Sequence, residues 1–319
     1  MTGPVAVTGA TGFVGRALVE RLIEDGRQVW AATRRRPDAA GRAAWRRIGD
    51  LGPDTDWGPV LDGADVVVHL AGRAHVMRET ETDPSLAYHR INVEGSLNLA
   101  RRAAEAGVRR LVFVSTVKVH GDQAPPNDPL TSAHPLRPKD PYGQSKALAE
   151  KYLWELSESS GLEMVVVRPP LVYGPGVKGN FRRLIDLADR AMPLPLAWVN
   201  NRRSMIGLGN LVAFLSRTID HPRAGGRAFL VKDPVDPSTP ELLADLARHL
   251  DRPARLWPCP VGLLKAAGRL VGRGAQVERL FGSLVVDDAE TRRVLGWTPP
   301  HDRDEELAAT IRWYRARSA

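Results

Sequence analysis

The chain opens with a nearly unbroken apolar run, VAVTGA at residues 5–10, and then changes period. From Phe13 to Asp25 the residues Val14, Leu18 and Leu22 recur at every fourth position, the spacing of one helix face, and Gly26 ends the segment. The alternation then repeats. QVWAAT (28–33), ADVVVHLAG (64–72), RRLVFVSTV (109–117) and LEMVVVRP (162–169) are β-rich runs with few polar positions to mark an exposed face. Between them, INVEGSLNLARRAAEAG (91–107) predicts a long helix closed by Gly107. A proline-rich loop from Ala124 to Pro141 precedes a helix predicted from about Ser145 to Ser159. Strands apolar on both sides, alternating with helices, belong to a parallel sheet covered on both faces.

After Pro169 the texture changes: proline and glycine become frequent, and turns separate helices such as ELLADLARHL (241–250) and VGLLKAAGRLVG (261–272). The expected division is an α/β body over residues 1–169, with some later segments returning to it, and a smaller mixed domain over 170–319. Val261 to Gly272 has the pattern of a membrane-surface helix, but its apolar side is expected to pack on the small domain.

Composition narrows the picture. No apolar run approaches the roughly 18–20 residues of a membrane span. One cysteine, Cys259, allows no internal disulfide. The first residues enter a strand without a charged leader, so a cytoplasmic location is expected. A net charge of +8 raises the question of nucleic acid. The arginines are scattered among alanine and proline without interleaved aromatics, so no nucleic-acid partner is expected, and no metal site.

The loop TGATGFVG places Gly9, Gly12 and Gly15 at three-residue spacing between the first strand and the first helix. That pattern suits a tight turn, backbone approach to a pyrophosphate and close helix packing, with Thr11, Phe13 and Val14 in the same loop. The fold expected is therefore a Rossmann-type doubly wound sheet binding NAD(P). An acidic residue usually ends the second strand where NAD is preferred. Here Thr33 stands there and opens TRRRPDAAGRAAWRR (33–47), with six arginines in fifteen positions. Either Arg34 and Arg35 meet the 2′-phosphate of NADP(H), or the run is a solvated loop; the first is the working expectation. Arg42, Arg46 and Arg47 are expected at the surface, and Asp50 and Leu51 at the adenine.

PYGQSKA sets Tyr142 and Lys146 four residues apart, on one helix face, where an ammonium group would lower the tyrosine pKa for acid–base work on a hydroxyl. Ser115 and Thr116 follow the carboxyl end of a strand, the edge at which open α/β sheets bind ligands.

With TGATGFVG, VVVHLAG, INVEGS, VFVST…VHG, PYGQSK, RPPLVYGPG, NRRSMI and the final LGW in this order, the chain resembles the extended short-chain dehydrogenase/reductases of the sugar-nucleotide epimerase/dehydratase type. The branch it most resembles is UDP-glucose 4-epimerase-like and includes reductases of UDP-4-keto-6-deoxyhexoses. The resemblance implies Tyr142 as acid/base, Lys146 on the nicotinamide ribose and Thr116 as the third catalytic residue, with Ser115 beside it. It implies Asn92 as a support of the site, and Ala71, Gly72 and Pro169 close to the cofactor. Asn180, Arg203 and Arg279 would bind the UDP-sugar.

Val117 and Lys118 stand where dehydratases of this type carry an Asp–Glu pair, which argues against dehydration. Arg34 and Arg35 favour NADPH, hence 4-keto reduction of a UDP-4-keto-6-deoxyhexose; the alternative is a 4-epimerase holding NAD. A non-catalytic NADPH-binding sensor is the reading from another class, opposed by the intact Tyr–Lys pair. His120 replaces the tyrosine common in the family and either touches substrate or serves structure. A homodimer is expected from the resemblance.

Overall fold

The computed structural model describes residues 3–35, 42–74, 83–270 and 281–318. Seven strands form the main sheet: β1 (Val5–Thr8), β2 (Val29–Thr33), β3 (Ala44–Arg47), β4 (Val66–His69), β5 (Arg110–Val114), β6 (Glu163–Arg168) and β9 (Arg227–Leu230). Their order is β3-β2-β1-β4-β5-β6-β9 and every pairing is parallel. The order reverses between β1 and β4, creating the crevice at which doubly wound sheets hold ligands.

Each face is sealed by apolar helices. On one side α1 (Phe13–Glu24) and α7 (Leu208–Asp220) bury Leu18, Leu22, Leu211 and Leu215 against Val5, Val7, Val66 and Val68. On the other, α4 (Gly95–Glu105) and α5 (Pro141–Ser160) bury Leu99, Ala103, Ala149 and Leu153 against Ala6, Val67, Leu111 and Val166. Burial on both faces explains why the strands lack polar alternation. Two elements from beyond residue 170, α7 and β9, belong to this body.

The smaller layer packs α6 (Gly179–Asp189), α8 (Thr239–His249) and the helix Arg303–Ser318 around Phe181, Ile185, Leu246 and Ile311. The strands β7 (Leu171–Tyr173) and β8 (Met205–Gly207) form a separate parallel pair beside it.

Two helices start elsewhere than expected. The segment predicted as a helix from residue 91 is preceded by a short α3 (Pro84–Tyr88) and a π-helical turn, His89–Glu94, before α4 begins. Such turns distort the helix so as to redirect a side chain, here Asn92. Helix α5 begins at Pro141 rather than Ser145, because Asp140 caps it by accepting from the Gly143 N–H and Pro141 lacks the donor a first helical position would waste.

A buried acid joins the two layers. Glu306 is 5% exposed and accepts from the Asn210 N–H at 3.0 Å. A side chain at Gly207 or Gly209 would place its Cβ 2.3 or 2.5 Å from Glu306, so those glycines make its room. Burial, helped by Asp233, pushes the Glu306 carboxyl up to about 7. The unfolded chain ionises this carboxyl near pH 4.3. Between there and about pH 7 the folded state therefore holds the extra proton, and stability is lost as pH rises through that window. The loss amounts to about 4 kcal/mol at most. Glu306→Gln keeps an acceptor for Asn210 without the charge. Urea unfolding at pH 5 and pH 8 is expected to show a smaller fall in stability for the variant; an unchanged fall would locate the pH dependence elsewhere.

Candidate active site

The phosphate-type loop follows β1. Gly9 has φ +65°, and a Cβ there would lie 2.8 Å from the Ala71 nitrogen. At Gly15 a Cβ would meet the Gly9 carbonyl oxygen at 2.1 Å, so the helix packs directly on the loop. Gly12 forms the N-cap of α1, and its N–H bonds to the Gly9 carbonyl at 2.8 Å. No side chain caps this helix, which leaves first-turn N–H groups for an anion. Val14 packs into the core beneath the loop, while Phe13 touches both cores and Gly176.

The loop opens on a cleft of about 900 Å³ lined by Thr11, Arg16, Thr33, Arg34, Arg35 and Asp50, among others. Arg16, which no sequence pattern singles out, directly follows Gly15 and donates to the Thr11 carbonyl at 3.0 Å. Arg34 donates to the Asp50 carboxylate at 3.1 Å, with both side chains exposed. Residues 36–41 lie outside the described residues, so Arg36 does too. Arg42 is exposed, Arg46 lies 5.0 Å from the Trp30 ring centroid and Arg47 borders the cleft. Leu51 packs beside Gly95 and against the core rather than standing open.

A polar chain fixes the loop after β4. The Thr8 hydroxyl accepts from the Leu70 and Ala71 N–H groups at 3.2 and 3.1 Å, so its own proton goes to His69 Nδ1, 2.6 Å away. His69 Nε2 then donates to the Ser96 hydroxyl at 2.9 Å. Burial, with the Lys146 charge, pushes His69 down to about 3, so the ring is neutral. Thr8 and His69 were visible in the sequence as polar ends of apolar strands, and they are register partners in the sheet.

Asn92 ties this loop to the tyrosine helix. Its amide accepts from the Arg73 N–H at 2.7 Å and donates to the Arg73 carbonyl at 3.0 Å and the Ser145 hydroxyl at 2.9 Å. Ser145 in turn donates to the Tyr142 carbonyl at 2.8 Å. Gly72 sits against Asn92, where a Cβ would approach Oδ1 to 3.0 Å.

Ser115 and Thr116 follow β5, both buried. Thr116 accepts from the Lys118 N–H at 3.3 Å, which leaves its own proton for a ligand. The Ser115 hydroxyl has no hydrogen-bond partner among the described residues, an orphan that a bound polar molecule would satisfy. Pro169 accepts from the Val117 N–H at 3.0 Å and so braces this turn against β6. Lys118 is held by the Asp140 carboxylate.

Tyr142 and Lys146 lie in the first turns of α5. The Tyr142 ring is 6.1 Å from that of Tyr88, which the sequence reading did not single out. The expected lowering of the tyrosine pKa is corrected: burial, with the Asp140 and Tyr88 charges, pushes the phenol up. The physical reason is that desolvation disfavours the charged phenolate. Lys146 Nζ rests 3.8 Å from the centroid of the Phe113 ring, and burial brings its own pKa down to about 7.

His120 is buried and bonded within the fold. Arg168 donates to its Nε2 at 3.1 Å, which leaves Nδ1 to donate to the Pro135 carbonyl at 3.4 Å. Burial and the Arg168 charge push the ring down to about 4. In the smaller layer Asn180 is exposed in the first turn of α6. Arg203 donates to the Gly282 carbonyl at 3.4 Å and feels the Asp122 charge. Arg279 lies outside the described residues, so only two of the three expected UDP-binding residues are placed.

Among the described residues no group of three or more His, Cys, Asp or Glu is arranged to hold a metal, and no helix is long and apolar enough to cross a membrane.

Residues 5–231 match the NAD dependent epimerase/dehydratase family. A Vibrio cholerae protein named UDP-glucose 4-epimerase is 39% identical over 97% of this chain and 95% of its own length. An Escherichia coli O157:H7 relative, named N-acetyl-alpha-D-glucosaminyl-diphospho-ditrans,octacis-undecaprenol 4-epimerase, is 25% identical over 98% and 96%. Among solved structures, MoeE5 in complex with UDP-glucuronic acid and NAD superposes with a TM-score of 0.78 at 27% identity, over 99% of this chain and 100% of that one. The Thermotoga maritima UDP-glucose 4-epimerase with UDP-glucose has the same fold, with a TM-score of 0.77 at 21% identity and coverage of 99% and 100%. With the Gly9–Gly12–Gly15 loop at the switch point, these matches identify the chain as an enzyme of the NAD dependent epimerase/dehydratase family, on the sugar-nucleotide side of the extended short-chain dehydrogenase/reductases.

Proposed function

We propose that this protein is a UDP-hexose 4-epimerase that works with retained NAD. The observation that carries the reading is the Vibrio cholerae relative, matched over 97% of this chain and named for that reaction. The MoeE5 complex, in which NAD and a UDP-sugar are bound together, supports the same pairing of ligands.

The residues present fit the cofactor. Gly9, Thr11, Gly12, Phe13, Val14 and Gly15 would hold the pyrophosphate, in a loop too tight for any Cβ at Gly9 or Gly15. Arg34, Arg35, Asp50 and Leu51 would border the adenosine end, and Ala71, Gly72, Tyr142, Lys146 and Pro169 the nicotinamide end. When bound, NAD supplies a hydride acceptor and then a donor for C4 of the sugar. Tyr142 takes the C4 hydroxyl proton and returns it on the other face, while Thr116, its own proton free, orients O4. Asn180, Arg203 and Arg279 are read as the groups facing the UDP diphosphate and base. The assembly in this reading is a homodimer.

Reduction of a 4-keto sugar by NADPH, the first expectation from Arg34 and Arg35, has less support. Asp50 is paired to Arg34 and offsets one of the two guanidinium charges on which a 2′-phosphate would rest. The test is to incubate purified protein with UDP-glucose or UDP-N-acetylglucosamine and follow the C4 epimer by chromatography. Interconversion without added cofactor, with NAD released on denaturation, is expected. NADPH consumption with a UDP-4-keto-6-deoxyhexose, and no epimer formed, would sink the reading.

A further inference from the structure

Helix α9 (Val261–Leu270) is apolar on two opposite sides. Val261 and Leu264 pack inward with Leu194, Leu196 and Leu256. Leu263 and Leu270, two turns apart and therefore on one face, point outward and are 63% and 88% exposed. Two leucines on the outer face depart from the polar residues that a solvent-facing helix usually carries there.

Two tryptophans sit on the same layer. Trp257 exchanges main-chain bonds with its neighbours: its N–H donates to the Leu194 carbonyl at 3.0 Å, and its carbonyl accepts from the Ala197 N–H at 3.2 Å. Trp198 follows directly. The two indoles are 49% and 60% exposed, and Met192, at the start of the same segment, is 45% exposed. Most of the exposed large apolar side chains among the described residues come from these two stretches. Single exposed leucines are ordinary, whereas such a concentration marks a contact surface.

Positive charge predominates within these stretches, with Asp189 and Asp251 at their borders. Residues 190–200 and 252–270 contain Arg190, Arg252, Arg255, Lys265 and Arg269, and no aspartate or glutamate. Arg252 reaches the Asp189 carboxylate at 3.3 Å, just outside the first stretch. Exposed leucines and tryptophans in a basic field fit a water–lipid boundary, where indoles sit at headgroup depth and arginines meet lipid phosphates. A protein partner would need acidic groups set opposite specific bases such as Arg190, Arg255 and Lys265; a bilayer meets them with a continuous anionic plane. We infer that the surface formed by α9, Trp198 and Trp257 docks this enzyme on anionic lipid bilayers, as a peripheral contact far too shallow to span them. The cleft that would take the adenosine is lined by residues of the β2–β3 side of the main sheet and shares none with this surface.

The experiment is co-sedimentation of the full-length protein with phosphatidylcholine vesicles, either pure or containing about one-third phosphatidylglycerol. Binding to the anionic vesicles is expected, weaker by on the order of tenfold on neutral vesicles or at high salt. Trp198→Ser with Leu263→Ser is expected to lower partitioning by on the order of tenfold while leaving sugar-nucleotide turnover in solution unchanged. If that variant is poorly folded, Lys265→Glu with Arg269→Glu tests the same surface through charge alone. No binding, or equal binding by the variants, overturns the proposal. So does light scattering in which wild type is an oligomer and the variant a monomer, because a second copy of the chain would then cover this face.

Discussion

Replacing Tyr142 by phenylalanine is expected to lower 4-epimerase turnover roughly a thousand-fold, the middle of the range that general acid–base catalysis contributes. In barrier height this is about 4 kcal/mol. The ring stays in place in the variant, so its contact with Tyr88 at 6.1 Å and the Asn92–Ser145 bonds that hold its backbone survive. Stability and retained NAD should therefore be unchanged, which separates loss of the proton carrier from loss of the site. The phenol has its pKa raised by burial, Asp140 and Tyr88, so at neutral pH it rests protonated. To act as a base it needs a positive charge brought close. Lys146, now lying on Phe113 with a pKa brought down to about 7, is the group on its own helix able to supply one. A variant retaining a tenth or more of wild-type turnover, with the phenylalanine verified, would remove Tyr142 from the proton path.

What the sequence disclosed and what it hid divide along physical lines. Strands buried on both faces announce themselves by composition, and a glycine triplet between a strand and a helix announces a tight turn. Both signals are local, and the sheet and the Gly9–Gly12–Gly15 loop stand where they indicate. Long-range features left no such trace. Helix α7 and strand β9 return from beyond residue 170 to complete the main sheet, and only their burial there reveals it. The direction of the Tyr142 shift depends on desolvation and then on the charges of Asp140 and Tyr88, the latter more than fifty positions away in the chain. Arg34 reads as a free cation in the sequence, until the fold brings Asp50 to it. Candidate catalytic types can be read from a sequence because chemistry restricts which residues can do such work. Their acidities were not, because acidity belongs to the surroundings.

The second large effect concerns what lies beneath the site. Glu150 and Arg168 are almost fully buried and form three hydrogen bonds, at 3.2, 3.1 and 2.6 Å. Arg168 also donates to the Ser132 carbonyl at 3.2 Å and to His120 at 3.1 Å, so one guanidinium ties β6 to α5 and to the loop between β5 and α5. Glu150→Ala would leave that guanidinium buried and uncompensated. Breaking such a pair from one side costs about 3–5 kcal/mol, whereas replacing both members with apolar residues is often close to neutral. Urea unfolding of Glu150→Ala is accordingly expected to show a loss of that size, and Glu150→Leu with Arg168→Met to recover most of it. Glu150 is also one helical turn from Lys146 and holds the lysine pKa up against desolvation. The single variant should therefore lower the Lys146 pKa further and reduce turnover at neutral pH even where the protein remains folded. The apolar double variant, stable but without the carboxylate, should share that catalytic loss. Recovery of both stability and turnover in the double variant would mean that the pair serves packing alone; recovery of stability without turnover would show that it also keeps Lys146 charged.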